Sequence, residues 1–119
     1  MKLTVPISVG DFIDRLSILT IKAFDADLPV SVELEEYEHT AVAFPKVSFN
    51  HYREMFLAIN RQLWALEDVK RSKGLVVGSA EYVEIAELIT HLNDLRYQIK
   101  KSADNHFGSV IQERKSHEQ

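Results

Sequence analysis

The chain has 119 residues, 45% of them hydrophobic, a formal net charge of −4 and no cysteine. That bounds it to one domain, 1–119, and excludes a disordered chain, a global basic field for nucleic acid, a disulfide framework and thiolate chemistry. No apolar run approaches the ~18 residues of a membrane span, and Met1 to Pro6 lacks the apolar core of a signal peptide, so a cytoplasmic protein without a membrane partner is expected.

Pro6 disfavours helix before it. Ser8 is placed as an N-cap, with Asp11 three residues on and Asp14 also near the positive helix start. Phe12, Leu16, Leu19 and Ala23 share one face, flanked by Ile13, Ile18 and Ile21. This predicts a first helix over about 9–24, broken between Asp25 and Pro29. Ser31 is the next cap candidate, opening a short helix over about 31–43 with Leu34, Tyr37 and Ala41 as its apolar face. Residues 25–45 carry six acids and no lysine or arginine. A solvated acidic face explains them more simply than a docking patch for a basic partner.

Two longer stripes then dominate. Tyr52, Phe56, Ile59, Leu63 and Leu66 keep strict 3-4 spacing, and so do Ile85, Leu88, Leu92, Leu95 and Ile99. Period-two strands cannot hold such a stripe on one side, whereas a helix does. Ser48 and Ser79 are the expected caps, Gly74 to Gly78 the turn, and Lys70, Arg71 and Lys73 the basic last turn of the first arm. The fold expected is all-α: a long antiparallel helical hairpin (about 49–73 and 80–105) packed with the N-terminal helix and short helices as a bundle. Gly108-Ser109 reads as a stop, with Val110 and Ile111 starting a short terminal helix before a frayed end. A 25-residue helix spans roughly 38 Å, about the diameter of a compact domain of this size. Two short helices cannot cover both of its apolar sides, so self-association through helix packing is expected.

Polar residues flank both stripes. Asn60, Trp64, Glu67 and Arg71 share a face of the first arm; Asn93, Arg96 and Lys100 share one of the second. The ordinary account is a hydrogen-bonded and ion-paired rim, because buried polar groups must be paired. The functional account is a small anionic-ligand pocket. There Arg96 and Lys100 neutralise a phosphate or carboxylate, the two asparagines give directional bonds, and Trp64 stacks a ring. A lone tryptophan is also an ordinary core residue. Arg96 calls for an acid partner, with Glu67, Asp68 and Asp14 as the candidates.

No complete metal or catalytic constellation is present in the sequence. Glu36-x-x-His39 is one ligand pair where a helical di-iron site needs two. Glu84-x-x-Glu87 is one carboxylate pair of the sort that holds Mg²⁺ in all-α nucleotide hydrolases, without a matching pair on a partner helix. His91 lies four residues after Glu87. No phosphate loop, dinucleotide fingerprint or nucleophile triad occurs. The sequence therefore assigns no catalytic residue, no metal ligand and no cofactor.

The run from Ile7-Ser8-Val9-Gly10-Asp11 to Ile21-Lys22 resembles the opening motif of an uncharacterised all-helical family, a domain of unknown function found in bacteria and tailed phages. Asn60-x-x-Leu63-Trp64-x-x-Glu67-Asp68, Asn93-Asp94-x-Arg96-x-x-x-Lys100 and Gly108-Ser109-x-Ile111-x-Glu113-x-Lys115-Ser116 resemble its later motifs, in the same order. Residues 25–50 do not fit, and His117 stands where an aromatic residue is expected. The resemblance implies an all-helical fold and no established activity. It singles out Arg15, Lys22, Asn60, Trp64, Glu67, Asn93, Arg96 and Lys100 as candidate ligand-binding residues, with Asp14 beside them. The expected function is a non-enzymatic helical oligomer that binds a small anionic, nucleotide-like ligand or a protein partner, including sequestration of a signalling nucleotide in a phage setting. The alternatives are a divalent-metal-dependent nucleotide hydrolase and a purely structural assembly subunit.

Overall fold

The computed structural model describes residues 1–72 and 74–109, with the Ser72 side chain left aside. Four α-helices form a bundle: α1 (Val9–Thr20), α2 (Ser31–Ala41), α3 (Lys46–Ser72) and α4 (Ala80–His106). The expected all-α fold and long hairpin are the observed ones, α3 and α4 each running 27 residues. The expectations for Lys73 and for residues 110–119 lie outside the described residues.

Two of the expected caps form. Ser8 Oγ accepts the Asp11 N–H, and Ser79 Oγ accepts the Tyr82 N–H at 3.2 Å. The other two do not. Ser31 is already the first helical residue of α2, whose N-cap position is Val30 without a side-chain bond. Helix α3 starts at Lys46, before Ser48, and Ser48 Oγ instead donates to the Pro45 carbonyl at 3.4 Å. Pro45 lacks an N–H and so starts a helix without leaving a donor unsatisfied. Its carbonyl accepts the first helical bond, from Phe49, at 3.0 Å.

The first helix does not end as a plain α-helix. Ile21–Asp25 widens into a π-helical turn, and the Ala26 N–H reaches the Ile21 carbonyl at 3.1 Å. Asp27, at φ 51°, then ends the helix in the left-handed region, where Asp is among the better-tolerated residues.

The main core joins Ile13 and Leu16 of α1 to Phe49, Tyr52 and Phe56 of α3 and Ala103 of α4. Aromatic rings close the end of the bundle. Phe12 stacks on Tyr37 of α2 with centroids 5.2 Å apart, and Phe44 sits 5.2 Å from Phe49 and 5.5 Å from Phe107. A second cluster, Ile59, Leu63 and Leu92, lies within the hairpin itself.

The stripe on α3 is buried as expected, apart from the half-buried Leu66. The stripe on α4 is not. Ile85 and Leu92 are buried, but Leu88 and Leu95 stay 45% and 41% exposed. Helix α1 covers only one side of the hairpin, where Arg96 and Lys100 reach it. Leu88 and Leu95 sit roughly 100° round the helix from those two residues. The molecule is correspondingly extended: its radius of gyration is 15.9 Å, against about 13.5 Å for a compact domain of this length.

Three of the six acids in the 25–45 stretch are paired from within. Asp25 pairs with Arg61 at 2.9 Å, Glu36 with Lys2 at 3.2 Å, and Glu38 with Arg53. Among the described residues, no helix is long and apolar enough to cross a membrane.

Helix α1 meets α4 at backbone distance. A Cβ on Gly10 would lie 2.4 Å from the Lys100 carbonyl oxygen and 2.8 Å from its Cα. Neither atom belongs to a side chain that can swing away. Gly10→Ala should therefore force the helices apart, at a cost of about 2–3 kcal/mol and a melting temperature lower by roughly 10 °C. Thermal melting followed by circular dichroism checks this, and an unchanged midpoint refutes the close crossing.

Candidate functional site

Asp14 is the most enclosed charge in the bundle. It lies mid-helix on the inner face of α1, with no exposed surface. Its carboxylate accepts Arg96 Nε at 3.0 Å and Arg96 Nη2 at 2.7 Å from α4. It also accepts Asn60 Nδ2 from α3 at 2.7 Å, and Lys100 Nζ lies 3.2 Å away. Three helices thus converge on one carboxylate. Asn60 Nδ2 also donates to Ser17 Oγ, and Ser17 Oγ donates in turn to the Asp14 carbonyl, each at 2.7 Å.

The ion pairs continue outward. Lys100 Nζ lies 3.5 Å from Asp11, which holds Arg15 at 2.9 Å on its other side. The Asp11 charge, followed by a hydrogen bond with Tyr37, raises the already high pKa of the Arg15 guanidinium.

A further carboxylate fixes where α1 begins. Asp104, buried in α4, accepts the Gly10 N–H at 2.6 Å, and Ser109 Oγ accepts the Val9 N–H at 3.2 Å. Unsatisfied N–H groups and the positive dipole end of α1 are thereby answered by Asp104 of α4 and by Ser109 just beyond it.

Beside the Asp14 network opens a cavity of about 340 Å³, walled by Ile18, Ile21, Asn60, Leu63, Trp64, Glu67, Arg71, Asn93 and Arg96. Its floor is aliphatic and its polar groups come from the two hairpin arms. Trp64 is 41% exposed, so it lines this space instead of filling the core. Ile21, from the π-helical turn, forms part of the wall, and such turns recur at functional sites.

Five of the eight candidate residues meet here: Asn60, Trp64, Glu67, Asn93 and Arg96. The other three do not line it. Lys100 is spent on Asp11 and Asp14. Arg15 lies along the groove between the N-terminal segment and α2, and Lys22 sits in the π-helical turn. The acid partner of Arg96 is Asp14. Its Nε and Nη2 are committed there, leaving Nη1 as the guanidinium nitrogen a ligand could engage.

Arg71 also lines the cavity, although its place in a helix end accounts for its charge. Its Nε donates to the Glu67 carbonyl at 3.3 Å, which folds the side chain back along α3. Asp104 escaped the sequence reading. The one signal was electrostatic: an acid in the last turn of a helix opposes the dipole, and so invites a partner from elsewhere.

Glu84 and Glu87 are both exposed, and Glu87 lies on the outer side of α4 beside Thr90, His91 and Asp94. Among the described residues, no three His, Asp or Glu side chains are grouped as metal ligands.

No protein-family model, curated protein or solved structure matches this chain, so the geometry of the site carries the functional argument.

Removing the Asp14 charge leaves two cations of α4 without their buried counterion. Asp14→Asn should cost on the order of 3–5 kcal/mol. Combined with Arg96→Met, it should cost less than the sum of the two single changes, by roughly 0.5–3 kcal/mol. Urea denaturation of the four proteins measures this coupling. Strict additivity would mean that the pair does not hold α1 to α4.

Proposed function

We propose that this protein is a non-catalytic, self-associating helical binder of a small planar anion, of nucleotide-like chemistry, held in the Trp64 cavity. The carrying observation is the convergence of Asn60, Trp64, Glu67, Asn93 and Arg96 on one open space. Those residues come from two separate motifs, and the reading takes the chain as a member of the helical family those motifs resemble.

The volume lies at the small end of ligand pockets, which run from about 300 to 1,000 Å³. An aliphatic floor and a half-exposed indole suit a flat ring. Arg71 and the outer edge of Arg96 suit an anionic group. The Asp14 network behind them keeps Arg96 fixed, so a ligand meets a donor already in place. Hydrolysis on a divalent cation needs several converging carboxylates. The cavity offers one, Glu67, and the Glu84–Glu87 pair lies elsewhere.

Self-association rests on a different observation. Leu88 and Leu95 continue the 3-4 spacing of the α4 stripe but remain exposed, on a flank roughly 100° round the helix from the residues that meet α1. A second copy laid against that side would complete the burial that α1 completes on the other.

Trp64 is the only tryptophan in the chain, which makes the cavity self-reporting. Excitation at a tryptophan-selective wavelength should show saturable quenching by nucleoside monophosphates. Trp64→Ala should abolish calorimetric binding while costing well under the roughly 3–5 kcal/mol of a fully buried aromatic. Quenching that fails to saturate, with no heat of binding, would sink the reading.

For assembly, sedimentation equilibrium at micromolar concentration should give a mass above the 13.7 kDa protomer. A Leu88→Glu, Leu95→Glu double variant should return it to the protomer mass with its helicity intact. A wild-type protein that sediments as the protomer alone refutes self-association.

A further inference from the structure

Glu67 stands out in the cavity wall. It is half-buried, and among the described residues no side chain hydrogen-bonds to its carboxylate or forms an ion pair with it. Asp14 and Asp11, the carboxylates nearest in role, are both answered by cations. A partly desolvated acceptor without a donor is a place where a ligand's donors gain most.

Its neighbours define the rest of the ligand. Trp64 lies three residues before Glu67 and Arg71 four residues after it, so all three form one row on α3. Trp64 and Arg71 line the same cavity. A ring stacked on Trp64 therefore presents its edge to the Glu67 carboxylate. An anionic group on that ring's substituent has Arg71 and Arg96 on the wall of the same cavity.

We propose that the ligand is a guanine nucleotide, its base stacked on Trp64 and its N1–H and N2–H₂ donors accepted by Glu67. The proposal rests on the cavity-binding reading above and names its ligand. A carboxylate offers two adjacent acceptors and no donor. Guanine is the common base with two adjacent donors on one edge. Adenine places a ring-nitrogen acceptor beside its single amino group, where it faces the carboxylate oxygen unfavourably. Uracil has one N–H between two carbonyls, and cytosine has one amino group next to an acceptor. A free guanidinium compound would satisfy Glu67 equally well. Its positive charge, however, would sit beside Arg71 and Arg96, whereas a nucleotide brings phosphate to them.

The test titrates the 119-residue chain with GMP, IMP, AMP, CMP, UMP and L-arginine, following Trp64 fluorescence with calorimetry in parallel. GMP should bind at least tenfold more tightly than AMP, CMP or UMP. IMP, which keeps N1–H and lacks the N2 amino group, should fall between GMP and AMP. Glu67→Gln replaces one acceptor with a donor that opposes the N2 amino group. It should bring GMP affinity down to that of AMP, leave AMP binding in place, and leave the melting temperature within a degree or two. Equal affinities across the series overturn the guanine assignment and leave the cavity reading standing. A GMP preference that survives Glu67→Gln overturns Glu67 as the acceptor of the guanine donors and leaves the cavity reading standing. Tighter binding of L-arginine than of GMP overturns the guanine assignment in favour of a guanidinium ligand. No saturable binding of any nucleotide overturns both.

Discussion

The carboxylate of Asp14 is where this bundle is tied together. A charge with no exposed surface is tolerated only when its counterions and hydrogen-bond donors come with it. Here they come from two other helices: Arg96 and Lys100 from α4, Asn60 from α3. Apolar contacts between helices are permissive and allow sliding and rotation within a range. A forked guanidinium on a carboxylate does not, because two N–H···O bonds fix both distance and angle. Register among α1, α3 and α4 is thus tied to one residue, while an aromatic-rich core packs the same three helices together.

The second constraint acts at close range. With glycine at position 10, the start of α1 lies against the backbone of α4, and Asp104 and Ser109 receive its first N–H groups. The two devices lie on one helix, about one turn apart, and act on the same neighbour. Between them they set the angle at which α1 crosses the hairpin. That angle leaves α1 over one flank, opens the cavity between Ile18, Ile21 and the hairpin arms, and leaves Leu88 and Leu95 uncovered. The proposed binding and assembly surfaces are thus both consequences of where α1 is anchored.

Structure and site share residues unequally. Arg96 belongs to both: two of its nitrogens hold Asp14, and its body walls the cavity. Asn60 is likewise shared, through Nδ2 bonds to Asp14 and Ser17. Trp64, Glu67 and Asn93 line the space without bonds of that kind. A row of polar residues along a stripe therefore has a division of labour that its spacing does not reveal. Lys100, one turn beyond Arg96, looks equivalent in sequence but pairs with Asp11 and Asp14 and does not line the cavity.

Helical periodicity, cap residues at Ser8 and Ser79, and glycine at the turns are local signals, so the sequence by itself determined the all-α class, the hairpin and the extent of α4 to within a residue. It also determined that Asn60, Trp64 and Glu67 share one face, and Asn93, Arg96 and Lys100 another, since helix geometry alone dictates that. It could not decide which acid Arg96 meets, because Glu67, Asp68 and Asp14 were all plausible until α1 was placed. It could not decide that Leu88 and Leu95 stay exposed while Leu92 is buried, since all three obey the same spacing. The widening of α1 at Ile21–Asp25 and the start of α3 ahead of Ser48 likewise had no local signature strong enough to read. Those outcomes depend on how rigid helices of unequal length cover one another. That is a property of three-dimensional packing, and only the tertiary structure decided it.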